Sequence, residues 1–129
     1  MNNASIRQSA KDIKGPAPIT TITGEPAPLL IVDLPLPEQL QYGRVVIQYR
    51  TENLRIIPVY GQGARNVSPR IGHLHVTVDD APWHWLDASG EPLIIKGLLP
   101  GQHSVLIELA DPEHNVIDFK KIAFVVPAL

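Results

Sequence analysis

The sequence predicts an all-β fold, an antiparallel sandwich of seven or eight strands. Three observations carry that prediction. Short runs rich in Val, Ile and Leu recur along the chain, most of them spaced by about 8–12 residues. Turn signals stand between them: Pro35-Leu36-Pro37, Tyr42-Gly43, Gly61-Gln62-Gly63, Ser89-Gly90, Pro100-Gly101 and Asp111-Pro112. The spacing of these breakers also leaves no room for a long helix.

Residues 1–28 are polar and then punctuated by Gly15-Pro16-Ala17-Pro18 and Glu25-Pro26-Ala27-Pro28. Such a segment favours extended conformations and builds no core of its own, so it reads as a flexible N-terminal arm. A short edge strand at residues 19–23 is the one element expected within it. The sandwich domain then covers residues 29–129. Its runs are Leu29–Leu34, Arg44–Arg50, Leu54–Tyr60, Gly72–Asp79, Trp83–Leu86, Pro92–Lys96, His103–Ala110 and Ile117–Val126. Pro58 cannot donate to a ladder and demotes the third run to an edge or a bulge.

The clearest strand is Gly72–Asp79, where Leu74, Val76 and Val78 alternate with His73, His75 and Thr77. Asp79-Asp80-Ala81-Pro82 reads as a turn, and Trp83 and Trp85 resume the apolar face on a returning strand. Closure with Val78 opposite Trp83 places Thr77 opposite His84 and Val76 opposite Trp85. Both indoles then face the core, and His73, His75 and His84 share the outward face.

Composition excludes several functions. A chain of 129 residues with 44% hydrophobic and 19% charged residues has enough apolar material for one core without staples. Net charge −2 gives no electrostatic reason to expect nucleic acid or an anionic membrane surface. There is no cysteine, so disulfides, zinc–thiolate and blue-copper sites and thiol catalysis are all excluded. No apolar run is long enough to insert into a bilayer. The first ten residues lack an apolar leader segment, so the expected location is the cytoplasm, or the periplasm or exterior where a leader has been removed.

Two readings of the histidine face stand side by side. Imidazoles suit Cu(II), Zn(II), Ni(II) and Fe, and three of them leave a coordination position open. His73, His75 and His84 are therefore the candidate metal ligands, with Asp79, Asp80 or Asp87 available to orient the rings. The other reading is a polar face without a ligand. His103 shares the phase of Val105, Ile107 and Leu109 and reads as a corner residue bonded to a backbone carbonyl. His114, in Asp111-Pro112-Glu113-His114-Asn115, reads as a surface turn residue. Arg70 reads as a surface arginine, or else a carboxylate or phosphate clamp. No nucleophile elbow, phosphate loop or acid–base pair is present, so no catalytic residue is assigned.

Residues 97–111 resemble the corner entering strand F of immunoglobulin-like and fibronectin-type domains. His103 stands where those domains usually carry a tyrosine. That resemblance implies an immunoglobulin-like sandwich. The run Tyr49–Ile56 and the block Ser68–Asp111 resemble a small bacterial family of unknown function over residues 29–127. The likeness rests on its Gly-His-Leu-His, Trp-His-Trp and Pro-Gly-x-His motifs. It implies export for many members and transfers no catalytic residue.

The resulting expectation is a non-catalytic binding module that takes up a divalent metal, Cu(II) or Zn(II), on the histidine face. A metal-free structural or protein-interaction domain, such as a homodimer, is the alternative. A carbohydrate-binding module with exposed tryptophans is a third.

Overall fold

The computed structural model describes residues 24–128. Most of the expected arm, including the short edge strand at residues 19–23, lies outside the described residues. Its end is fastened to the body. Glu25 accepts hydrogen bonds from Ser68 Oγ at 2.9 Å and from the Arg70 backbone N–H at 3.2 Å. Arg70 Nη1 and Asn53 Nδ2 donate to the carbonyls of Pro26 and Ala27, each at 3.0 Å.

The elements are β1 Leu29–Val32, α1 Pro37–Leu40, β2 Arg44–Ile47, β3 Tyr49–Glu52, β4 Arg55–Ile56, α2 Gln62–Arg65, β5 Ile71–Val78, β6 Trp85–Asp87, β7 Leu93–Lys96, β8 Gly101–Ala110 and β9 Val116–Val126. The fold is all-β, as its alternating runs predict, with nine strands among the described residues instead of seven or eight. The run 44–50 is responsible for part of the excess. It divides at Gln48, because β2 pairs with β7 while β3 pairs with β1. The two helices are single turns at breaker-rich connections, and α1 starts on a proline whose fixed φ suits that position.

Three sheets surround one core: β1–β3, β2–β7 and the larger β4–β5–β8–β9, with β6 sharing an edge of β5 with β4. Pairing is antiparallel except between β4 and β5. Pro58 confines β4 to two residues on that edge. Leu74 and Val76 of β5, Val105, Ile107 and Leu109 of β8 and Val126 of β9 face Leu30, Val45, Ile47, Leu93 and Ile95. Each such buried side chain contributes about 1.5–3 kcal/mol relative to exposure. Among the described residues, no helix is long and apolar enough to cross a membrane.

Gly72 sets the entry to β5. A Cβ there would collide with the Ala110 carbonyl oxygen of β8 and press on both methyls of Leu54. Backbone cannot yield cheaply. Gly72→Ala is expected to destabilise by roughly 1–3 kcal/mol, the range for overpacking, read as a lower urea midpoint at unchanged slope.

The turn after β5 corrects the expected hairpin. Asp79 and Asp80 have φ of 52° and 55°, and Ala81 N–H donates to the Val78 carbonyl at 3.1 Å. Two left-handed central residues make this a tight two-residue turn, closed at Ala81 instead of Trp83. The ladder with β6 nevertheless keeps Val76 opposite Trp85. Pro82, Trp83 and His84 fill a gap that Thr77 alone spans on β5, a surplus of two residues, and belong to no strand. Trp85 packs against the core, but Trp83 is 60% exposed, so the two indoles do not share the interior.

Asp79 also fixes the corner at His103. Its Oδ1 accepts the Ser104 N–H at 2.9 Å, and its Oδ2 lies 2.6 Å from His103 Nδ1. His103 Nε2 lies 2.6 Å from the Leu99 carbonyl, as expected of a corner histidine. Both partners are acceptors, so the ring bonds both at once only as an imidazolium. The Asp79 hydrogen bond, then the Leu99 bond, raises the His103 pKa above 6.5. The His103 bond, then the Ser104 bond, lowers that of Asp79 below 3.8. The histidine's stabilisation is full below about pH 6.5 and is lost as pH rises through the raised value. The aspartate's is present above about pH 3.8 and is lost as pH falls through the lowered value. NMR titration should find the His103 midpoint above 6.5, and Asp79→Asn should lower it, since the larger of its two raising bonds is lost.

Candidate metal centre

Strand alternation decides what β5 shows on each side. Leu74 and Val76 enter the core, so His73 and His75 project from the opposite face of the large sheet. His75 stands directly opposite Leu86 of β6 and Glu108 of β8, and Glu108 stands opposite Phe119 of β9. The face is not open to solvent. His73 is 0% and His75 7% exposed, which corrects the expectation of an outward-facing cluster. Other rings provide the cover. Tyr60 meets His73 edge-on at 5.2 Å between centroids, and His84 stacks on His75 at 4.8 Å.

A third imidazole arrives from the β8–β9 turn. His73 pairs with Ala110, the last residue of β8, so the turn that follows begins beside it. Asp111 organises that turn by accepting hydrogen bonds from the backbone N–H groups of Glu113 and Asn115 and from the Asn115 side chain. Arg65 of α2 braces it, 3.1 Å from Glu113 and 3.5 Å from Asp111. Gly61 N–H donates to the Pro112 carbonyl at 3.1 Å, tying the Tyr60 loop to the same turn. His114, at φ 67°, is thereby held over His73 and His75.

The geometry converges on three nitrogens. His73 Nε2 lies 3.0 Å from His75 Nε2 and 3.0 Å from His114 Nδ1, and His75 Nε2 lies 3.3 Å from His114 Nδ1. A hydrogen bond needs one donor and one acceptor, and three mutually adjacent groups cannot alternate around a closed ring. Whatever the protonation, at least one contact sets lone pair against lone pair or N–H against N–H. A cation removes the conflict by accepting all three lone pairs. His73, His75 and His114 form a group able to hold a metal ion.

The electrostatics keep the two strand rings, His73 and His75, in the ligating form. Burial, reinforced by the His75 and His114 rings, pushes the His73 pKa down to about 4. Burial, then His84 and His114, lowers His75 as well. Neutral imidazole is what a metal requires. With the His73 Nε2 lone pair in the group, its proton sits on Nδ1, which is buried without a hydrogen-bond partner among the described residues.

Of the three histidines expected as ligands, the structure therefore brings His73 and His75 together. His84 lies beside them, in a stack on His75 and outside the converging set. Sequence reasoning missed His114, placing it in a plain surface turn. The turn is real and His114 is exposed; only the pairing of β8 with β5 shows what the turn overlies. None of the three aspartates proposed to orient the rings does so. Asp79 binds His103, Asp80 pairs with Lys121 at 2.8 Å, and Asp87 caps Ser89.

No curated protein and no solved structure matches this chain. A family model matches residues 1–129 in full, and the chain belongs to the family it describes, the Family of unknown function (DUF6130).

Proposed function

We propose that the protein is a non-catalytic module that binds one divalent transition-metal ion through His73, His75 and His114. The observation that carries this reading is the closed triangle of ring nitrogens, which no arrangement of protons satisfies and a single cation does. Nitrogens 3.0–3.3 Å apart would each reach a single ion at metal–nitrogen bond lengths of about 2.0–2.1 Å. Three protein ligands would leave at least one coordination position of such an ion free. The all-imidazole set favours Zn(II) or Cu(II) over Mg(II) or Ca(II), which prefer oxygen.

Calorimetric titration of demetallated, untagged protein with Zn(II) and with Cu(II) tests the proposal. One ion per chain is expected. Stoichiometric binding that survives His73→Leu, His75→Ala and His114→Ala together would refute it.

A further inference from the structure

We infer that His84 is the fourth ligand of this ion, a mobile arm that closes over the position left open by the fixed trio. The inference rests on the metal reading of His73, His75 and His114 and assigns the site its coordination number and its moving part.

Position comes first. The His84 ring lies flat against His75, 4.8 Å between centroids and 27° between planes, one ring's thickness from a ligand of the ion. Its nitrogens make no hydrogen bond among the described residues, so the stack on His75, and no hydrogen bond there, holds the ring. Freedom to move comes second. The trio is anchored by strand β5 and by the braced Asp111 turn, whereas His84 is exposed and belongs to the Pro82–His84 connection outside any strand or helix. That connection exists because the left-handed Asp79-Asp80 turn closes early and leaves surplus chain before β6. Trp85, packed against the core, is the fixed point from which His84 swings.

Chemistry supplies the third argument. Zn(II) prefers four ligands and Cu(II) accepts a four-nitrogen set, so a trio bound to either ion leaves a vacancy for a donor within reach. Glu108 is the competing donor, since it stands opposite His75 across the β5–β8 ladder. It projects from β8, which is paired along both edges by β5 and β9. The free nitrogen donor on loose chain is His84. An ion held by three fixed ligands and one mobile ligand can exchange without unfolding the protein, because release begins with the arm.

Pulsed electron paramagnetic resonance on the full chain with one equivalent of Cu(II) counts the bound imidazoles. Four are expected in the wild type and three in His84→Ala, which should still bind one ion with affinity reduced about tenfold or more. Trp83, exposed beside His84, should also be quenched by Cu(II) more strongly in the wild type than in His84→Ala. Three imidazoles in both proteins, or a fourth ligand lost in Glu108→Gln and not in His84→Ala, would overturn the inference while leaving the trio intact. Failure of the wild type to bind Cu(II) at all would overturn the trio and His84 with it.

Discussion

Replacing His73 with leucine is expected to make the metal-free protein more stable and to abolish its response to metal. The two effects come from the same geometry. Wild-type protein without metal carries a buried ring whose Nδ1 has no partner and whose Nε2 sits in a triangle that cannot be satisfied. His73→Leu removes the orphan nitrogen and fills the space with apolar volume. It also reduces the triangle to one pair, His75 with His114, in which a single proton makes an ordinary hydrogen bond. Relief of an unsatisfied buried polar group is worth roughly 1–3 kcal/mol. Thermal melts of demetallated protein should therefore show a higher Tm for His73→Leu.

Adding metal reverses the ranking. An ion at about 100 times its Kd stabilises the folded wild type by about 2.7 kcal/mol, several degrees in Tm for a chain of this size. His73→Leu should show almost none of that rise. The crossing of the two proteins' Tm values on metal addition is the diagnostic result. A His73→Leu variant less stable than the wild type without metal would mean that the triangle is a well-satisfied packing feature. A surplus of polar groups that costs stability until a ligand arrives is what a binding site requires.

How much of this was legible beforehand depends on whether the signal was local. The alternation of Leu74, Val76 and Val78 against His73 and His75 is local and period two, and in β5 those three apolar residues pack on the core as it predicts. Val76 opposite Trp85 was legible for the same reason. The turn's place was legible but its closing residue was not, because Asp79 bonds Ser104 and His103, about 25 residues away in the chain, and Asp80 bonds Lys121, 41 residues away. Trp83 was misplaced with it. His114 is the clearest case. Its turn could be read from Asp111-Pro112, but its meeting with His73 depends on β8 lying antiparallel to β5 in one register, and no residue near His114 encodes that. Burial of the histidines was hidden likewise, since Tyr60 and His114 reach them from separate loops.

Acid should destabilise the metal-free protein well before its carboxylates protonate. In the unfolded chain His73 titrates near pH 6.5, whereas in the fold burial and the neighbouring rings hold its pKa at about 4. Between those values the unfolded state binds a proton that the folded state refuses, so stability falls as pH falls. The full difference is on the order of 3 kcal/mol by pH 4, at 1.36 kcal/mol per pH unit. His75, lowered for the same leading reason, acts in the same direction. His103 does not confuse the measurement, because its raised pKa changes stability only above about pH 6.5. The lowered carboxylates of Asp79, Asp111 and Asp118 act below about pH 3.8. Urea midpoints of demetallated wild type should therefore drop between pH 6.5 and 4.5, and the drop should be smaller in His73→Leu, where the His75 contribution remains. Bound metal should steepen the wild-type slope, since each ligand must lose its claim on a proton before the ion can be held. A flat profile over that range in the wild type would mean that His73 already carries its proton in the fold, and an imidazolium there could not ligate a cation.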